Sequence, residues 1–300
     1  MGVGASIGKE GACMKCYDYK ICNTCFHVES PYELHLEKYA PFFSINGQAE
    51  EKCIRISLRE TEFIETPAAQ YFGEAGETAA WQENATIYRQ RKDLFRTLPH
   101  SLVEYRADDL TEIACTIRKA DFSWATGSQY FWTSVALNHV LIHFRTLLFH
   151  GSFIEYSGKG IIFTAPSQTG KSTQAELWQK YRGANIINGD KAGVSLNPEA
   201  TVHGVPFSGT SGICYNHAMP LQAIVVLSQA KDNSICRMAP SEAITALCSN
   251  IFIDKLIPVE WSKALNLIID LVSEVPVYHL ACTPDVRAVE ALEREITNNL

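Results

Sequence analysis

The residues best equipped for chemistry form one run, Ala165-Pro166-Ser167-Gln168-Thr169-Gly170-Lys171-Ser172-Thr173. Small and hydroxyl-bearing residues lead into Gly-Lys-Ser, a combination that suits an anion of phosphate type. Successive backbone N–H groups of such a loop, with those of the helix turn after it, make a concave anion site that the helix dipole favours. Lys171 is placed to reach the outer phosphates of a nucleotide, and the Ser172 hydroxyl to ligate Mg²⁺. Ala165 stands where glycine is usual, so the loop must open without a free positive φ at that position. A chance Gly-Lys-Ser at a helix start is the plain alternative. Against it stand the flanking elements, which come in the order such a loop needs. Gly160–Thr164 is an apolar run short enough for a buried strand, and Gln174–Tyr181 has helical spacing, with Ala175, Leu177 and Trp178 toward one side.

The next elements supply an acid. Gly183 suits a helix end, and Ala184-Asn185-Ile186-Ile187-Asn188-Gly189-Asp190 reads as a buried strand closed by a carboxylate. An Asp at the end of a neighbouring strand is where a phosphate-loop enzyme holds Mg²⁺ directly or through water, although Asp190 also reads as an ordinary turn aspartate before Lys191. Upstream, Ser152–Tyr156 and Gly160–Thr164 flank Ser157-Gly158-Lys159, which predicts a β-hairpin just ahead of the loop. Residues 128–149 carry Tyr130, Phe131, Val135, Leu137, Val140, Leu141, Phe144, Leu147 and Leu148 at three- and four-residue intervals. That spacing predicts a long buried helix running to His150-Gly151, with a domain boundary just before it. Downstream, Ser208-Gly209-Thr210-Ser211-Gly212 is either a second anion nest or a simple turn. Arg237 reads either as a source of positive charge for a phosphoryl group or as an exposed strand arginine. His203, Lys191 and Lys263 carry little weight as site residues.

Three segments are expected: 1–13 as a leader or expression-derived stretch, 14–127 as a smaller α+β domain, and 128–300 as the nucleotide-binding domain. Residues 1–13 (MGVGASIGKEGAC) are glycine-rich and unpatterned, with a second methionine at Met14. From Met14 to about Gln70 the pattern is of short strands, Tyr17–Phe26 and Ile54–Leu58 among them, broken by Pro31, Pro41 and the Asn46-Gly47 turn signal. Residues 68–80 read as a loop or exposed turn. Residues 85–98, with Arg89, Arg91, Lys92 and Arg96, read as a solvated basic face, and Leu110–Ile117 as a further strand.

Bulk properties exclude several classes of function. A net charge of −7 and a pI near 5.7 argue against nucleic acid or an anionic membrane as the main partner, because both require a basic surface. No apolar run reaches about 18 residues and no basic-then-apolar leader opens the chain, so the sequence predicts a cytoplasmic protein with no spanning helix. Most of the ten cysteines sit singly in apolar contexts and should be free thiols in a reducing compartment. Cys13, Cys16, Cys22 and Cys25, with His27 behind them, approach metal-ligand spacing. The gap between Cys16 and Cys22 is short for zinc, however, and a strand with cysteines on alternating faces explains it, so zinc is not expected.

Taken in order, the run resembles the HPr kinase/phosphorylase family, and more closely its HPr-kinase-like and phosphoenolpyruvate-carboxykinase-like relatives, which include kinases that tailor ribosomally made peptides. The likeness covers residues 149–292. Its carriers are His150-Gly151, Ala165 to Thr173, Gly189-Asp190, Gly204 to Ile213, Leu221 to Leu227, and Cys282-Thr283-Pro284-Asp285 with the segment bearing Val289 and Leu292. The resemblance implies an α/β protein of mixed sheets, with a phosphoenolpyruvate-carboxykinase-type P-loop kinase domain behind a smaller α+β domain.

By the same likeness His150 points into the active site, Lys171 and the loop amides hold the β- and γ-phosphates, Ser172 and Asp190 hold the metal, and the Ser208–Ser211 loop borders substrate or phosphate. HPr kinases carry two adjacent aspartates where this chain has Gly189-Asp190, which leaves His150, an imidazole that titrates near neutral pH, as the candidate base. As a lone histidine it also reads as a satisfied structural residue. The expected activity is an ATP- and Mg²⁺-dependent transfer of the γ-phosphate to a hydroxyl, the serine of a small protein or peptide, with residues 14–127 recruiting the acceptor. The alternatives are a kinase of a small metabolite and a nucleotide-binding regulatory protein without turnover. The family's symmetric rings imply self-association as well.

Overall fold

The computed structural model describes residues 14–34, 53–92, 98–127 and 130–298. The leader at 1–13 with Cys13, the signals at Pro41 and Asn46-Gly47, Arg96 and Ser128 lie outside the described residues. The architecture is mixed α/β and dominated by sheets. The chain divides into two units, residues 1–143 with 254–261 and residues 144–253 with 262–300. The division thus falls at His143/Phe144 rather than just before Ser128, and the first unit takes back a short segment from late in the chain.

The first unit contains β1 (Lys15–Ile21), β2 (Thr24–Ser30), β3 (Ile54–Thr61), β4 (Gln70–Ala75), β5 (Thr78–Glu83), β6 (Thr86–Arg91), β7 (Ser101–Arg106) and β8 (Glu112–Arg118). They form one sheet in the order β1-β2-β3-β8-β7-β6-β5-β4. Alternation explains its core face: Ile54, Ile56 and Leu58 of β3 are buried, as are Ile113, Cys115 and Ile117 of β8. Trp132 packs on this core, with ring centroids 5.1 Å from Tyr19 and 6.0 Å from Phe26.

Several expectations are corrected here. Tyr17–Phe26 is not one strand, because Cys22 and Asn23 take φ of 50° and 65° and turn it into the β1–β2 hairpin. Residues 68–80 are not a loop, because Gly76 at φ 57° closes the β4–β5 hairpin. Nor are all the cysteines free. Parallel pairing of β2 with β3 begins at Phe26 and Ile54, and the preceding residues, Cys25 and Cys53, are joined as a disulfide with Cα atoms 4.5 Å apart.

The run 128–149 is not one helix either. The chain forms α1 (Phe122–Thr126), α2 (Tyr130–Ser134) and α3 (Leu137–Ile142), then enters a strand at Thr146. Ala136 at φ 53° interrupts the helical backbone, and backbone pairing of Thr146–His150 with a neighbouring strand outweighs the helical spacing of Leu147 and Leu148.

The basic face is the sharpest correction, because Arg89 is 1% exposed. It donates from Nη1 to Asp254 at 2.6 Å and from Nη2 to Glu260, while His139 bridges the same carboxylates, Nε2 3.1 Å from Asp254 and Nδ1 3.0 Å from Glu260. Burial pushes the Asp254 carboxyl up, but the hydrogen bond and charge of His139, and then Arg89, outweigh burial and hold it at about 2. Glu260 is likewise held well below the carboxylate range, by Arg89 and His139 against burial.

The second unit contains β9 (Thr146–Tyr156), β10 (Lys159–Thr164), α4 (Lys171–Arg182), β11 (Asn185–Asn188), β12 (Lys191–Leu196), β13 (Ala200–Gly204), β14 (Ala218–Gln229), β15 (Ser234–Arg237), α5 (Pro240–Cys248), β16 (Val277–Cys282) and α7 (Val286–Asn298), with α6 (Pro258–Glu274) entering it after Trp261. Its strands run β10-β9-β12-β13-β14-β16-β15, and β14 also pairs in parallel with β10, so that five of them close on themselves. The β9–β10 hairpin turns where expected, with Ser157 at φ 52° and Gly158 at φ 74°. Phe163, Trp178, Val225, Leu280, Val289 and Leu292 form the core beneath α4 and α7. Among the described residues no helix is long and apolar enough to cross a membrane.

Removing one partner of the buried ion network leaves charge unpaired, so Glu260→Gln is expected to lower the unfolding free energy by about 3–5 kcal/mol. Carboxylates with depressed pKa contribute stability that is complete above their unfolded values of about 4 and is lost as pH falls toward their folded values, about 2 for Asp254. Urea titrations of the two proteins from pH 7 to pH 2 check both points. Equal stabilities at pH 7 would contradict the first.

Candidate functional site

The site grows from the middle of β9. From Thr146 to His150 this strand pairs with β12, and from Gly151 onward with β10 and β11. Gly151 is needed at the changeover, since a Cβ there would meet the Phe163 carbonyl oxygen at 2.7 Å. Its N–H donates to the Asp190 carbonyl at 2.9 Å, and the Thr164 hydroxyl donates to the His150 carbonyl at 2.7 Å. The end of β10, His150 and Asp190 are thereby tied together.

Lys171 joins them. Gly170, at φ 114°, caps α4 without a side-chain bond, and Gln168 takes φ 64°, so the left-handed positions lie late in the loop and the alanine at 165, fully buried, imposes no strain. Lys171 is 9% exposed and donates from Nζ to the carbonyls of Ala165 at 2.9 Å and Pro166 at 3.1 Å. The Thr169 hydroxyl donates to Pro166 at 2.9 Å, which tightens the loop further. Burial pushes the Lys171 ammonium below its ordinary value, and Asp190 offsets part of that.

His150 Nδ1 lies 3.8 Å from Asp190 Oδ1, both side chains being partly buried. Burial lowers the imidazole's pKa, Lys171 and Lys191 lower it further, and Asp190 opposes them. Phe252 sets its ring edge-on to His150 at 5.7 Å.

Asp190 itself is held from below. Asn188 is fully buried, and its Oδ1 accepts from the N–H groups of Asp190 at 3.0 Å and Lys191 at 2.9 Å while its Nδ2 donates to Val205 at 2.9 Å. Lys191 Nζ lies 2.9 Å from Asp190 Oδ2 and 4.6 Å from the ring centres of both Phe207 and Phe252. The Ser208–Ser211 loop presses on the same carboxylate: a Cβ on Gly209 would sit 2.7 Å from Asp190 Cγ, and one on Gly189 would sit 2.2 Å from Ser211 Oγ. Ser211 Oγ donates to the Ser208 carbonyl at 2.8 Å, which holds the loop in that shape.

The structure therefore brings together His150, Lys171, Asp190 and the Ser208–Ser211 loop. It does not bring Arg237 to them. Arg237 is exposed on the edge strand β15, with β16 and β14 between it and β10, the strand that leads to the loop. His203 is structural: its Nε2 lies 2.8 Å from Ser195 Oγ, and burial pushes it down to about 4.

The family model described as "ScmC: SynChlorMet cassette protein ScmC" matches residues 114–297, more than half of the chain. The chain belongs to the ScmC family. No curated protein matches. Among solved structures, the Hpr(Ser) kinase/phosphatase from Coxiella burnetii is similar at 12% identity, over 51% of this chain and 97% of that chain, with a TM-score of 0.32. A superposition that loose transfers neither fold nor activity.

In this ScmC-family chain the sequence pattern undervalues Lys191 and misses Asn188, Phe207 and Phe252. Asn188 carries a legible signal, because an Asn two residues before Asp190 is placed to accept that residue's N–H. Phe252 carries none, since only the tertiary fold returns it to His150. Among the described residues, no three His, Cys, Asp or Glu side chains are gathered so as to hold a metal. Of the cysteine run, Cys25 is disulfide-bonded and Cys13 lies outside the described residues.

His150 is expected to titrate below the ordinary histidine value of about 6.5. Lys171→Met should raise its midpoint only part of the way back, because burial is the larger cause, and Asp190→Asn should lower it further. Histidine NMR titrations of the three proteins check the signs. A wild-type midpoint above 6.5 would overturn this electrostatic picture.

Proposed function

We propose that this protein is an ATP-dependent kinase that transfers the γ-phosphate to a hydroxyl, the serine of a peptide or small protein, in a P-loop kinase domain made by its second unit. The observation that carries the reading is the convergence of His150, Lys171 and Asp190 at the mouth of a Gly-Lys-Ser loop that follows a buried strand and opens a helix. A loop of this kind alone would bind phosphate. Joined to a carboxylate and an imidazole, it has the parts for transfer, because phosphoryl transfer depends on positioning and charge neutralisation more than on covalent help.

Ser172 and Asp190 offer the hard oxygen donors that magnesium takes alongside phosphate oxygens. The Asp190 side chain is 24% exposed, which leaves carboxylate oxygen accessible to such an ion. Bound there, it would neutralise charge on the phosphates. Lys171 would exchange the Ala165 and Pro166 carbonyls for phosphate oxygens, a better match for an ammonium. His150, kept neutral by burial and two lysines, would take the acceptor hydroxyl's proton on Nε2, its Nδ1 facing Asp190. The new bond joins the acceptor oxygen to the γ-phosphorus, the bond from that phosphorus to the bridging oxygen breaks, and ADP leaves with the electron pair. Lys191, seated between two phenyl rings beside Asp190, supplies the positive charge for the equatorial oxygens that Arg237 is too remote to give. An ATP substrate suits a cytoplasmic setting, and the first unit is left to recruit the acceptor.

The test is transfer from γ-labelled ATP, with Mg²⁺, to a size-fractionated extract of the source cells. Lys171→Ala and Asp190→Asn are each expected to lower labelling of a peptide or small protein by at least about 10²-fold, with Asp190→Asn keeping nucleotide affinity. Label confined to a small metabolite would replace the acceptor class, and tight nucleotide binding with no label on any acceptor would make the protein a nucleotide-responsive regulator.

A further inference from the structure

A cavity of about 400 Å³ lies within the first unit and shares no residue with the candidate site. Its walls include Tyr32 and Glu33 after β2, Glu60 of β3, Lys119 after β8, and Phe122 and Ser123 of α1. The volume falls in the range of ligand sites. Its shape is fixed from several sides. Ser30 Oγ donates to the Tyr32 carbonyl at 2.7 Å and accepts from the Tyr32 N–H at 3.2 Å, and the Tyr17 hydroxyl accepts from the Leu34 N–H at 3.0 Å, so the segment bearing Tyr32 and Glu33 is held at both ends. The Tyr32 ring meets Phe122 edge-on at 5.0 Å, and its hydroxyl donates to Glu60 Oε1 at 2.8 Å.

Acids outnumber bases on this lining. Lys119 is engaged by Glu62, with Nζ 3.5 Å from its carboxylate, while Glu60 accepts from the neutral Tyr32 hydroxyl and Glu33 is exposed at the opening. Tyr32 is 44% exposed, which leaves aromatic surface open beside these acids. A ring next to carboxylates suits a flat cation. A guanidinium stacks on the ring and donates in parallel to a carboxylate, whereas an ammonium, a compact and strongly hydrated charge, gains less from either.

We propose that this cavity binds an arginine side chain of a peptide, the guanidinium lying over Tyr32 and donating to Glu60 and Glu33, and that this peptide is the acceptor. The second part rests on the kinase reading above; the first does not. The chain's net charge of −7 favours the same cationic partner. Recruitment by the first unit thereby gains a chemistry, recognition of a basic residue separate from the hydroxyl that receives phosphate.

Calorimetry on the full chain without nucleotide tests the site, with acetyl-Gly-Leu-Arg-Leu-Gly-amide as the probe and the same peptide bearing citrulline or lysine in place of arginine for comparison. Citrulline keeps the shape and loses the charge. The arginine peptide is expected to bind at least about tenfold more tightly than the citrulline peptide and about threefold more tightly than the lysine peptide. Glu60→Gln, which keeps an acceptor for the Tyr32 hydroxyl, should bring arginine and citrulline within about twofold. Glu83→Gln, at an exposed acid on β5 four strands along the sheet from β3, should leave the preference intact. Equal binding of the arginine and citrulline peptides, or a preference that survives Glu60→Gln, would overturn the site; lysine binding as tightly as arginine would overturn the guanidinium assignment. In the transfer assay the arginine peptide, and not the citrulline peptide, should compete with the labelled acceptor, and binding without competition would refute the acceptor's use of the cavity. Absence of all transfer would count against the kinase reading and leave the binding results to be judged alone.

Discussion

The candidate site depends on one backbone event, the change of partners by β9 at His150-Gly151. Below it the strand pairs with β12, which sets His150 opposite Lys191; above it the strand pairs with β10, which delivers the chain to the Gly-Lys-Ser loop. A single residue without a Cβ permits the crossing, and its N–H donates to the Asp190 carbonyl. Lys191, Asp190 and the loop are thus gathered at one point of one strand by main-chain pairing, before any side chain contributes. Asn188 adds a second restraint, since its carboxamide holds the two N–H groups that orient Asp190 and Lys191.

Two charge strategies follow within the chain. In the first unit, Arg89 and its carboxylates are removed from water and saturate one another, which makes the cluster costly to break and structurally specific. In the second, Lys171 and Lys191 are only lightly committed. One rests on loop carbonyls and the other on a partly exposed carboxylate between aromatic rings, arrangements that an anion with several oxygens can replace. Neighbouring cations and burial together keep His150 deprotonated near neutrality, the state a proton acceptor needs.

Legibility in the sequence follows interaction range. The loop, its strand and its helix read correctly because each is a local pattern: an apolar run, Gly-Lys-Ser, then apolar residues at helical spacing ended by Gly183 in the left-handed region. The hairpin at Ser157-Gly158 reads for the same reason. Residues 130–149 mislead because Leu147 and Leu148 fit a helical stripe equally well, and only pairing with β12, over forty residues later, makes them strand. Arg89 misleads because its carboxylate partners lie more than 160 residues away and no local signal marks an arginine as buried. Phe252 is invisible on the same grounds. Arg237, picked for its charge, fails on strand order, since β16 and β14 lie between its edge strand and β10, and charge does not report that.

Whether Lys171, Ser172, Asp190 and His150 form one nucleotide and metal centre is decided by a crystal structure of the protein with Mn²⁺ and a non-hydrolysable ATP analogue. The phosphates are expected on the Ala165–Thr173 loop with Lys171 turned onto them, and an anomalous manganese peak between Ser172 and Asp190. Phosphates bound elsewhere, or a manganese peak away from both residues with Lys171 still on the Ala165 and Pro166 carbonyls, would contradict a shared centre.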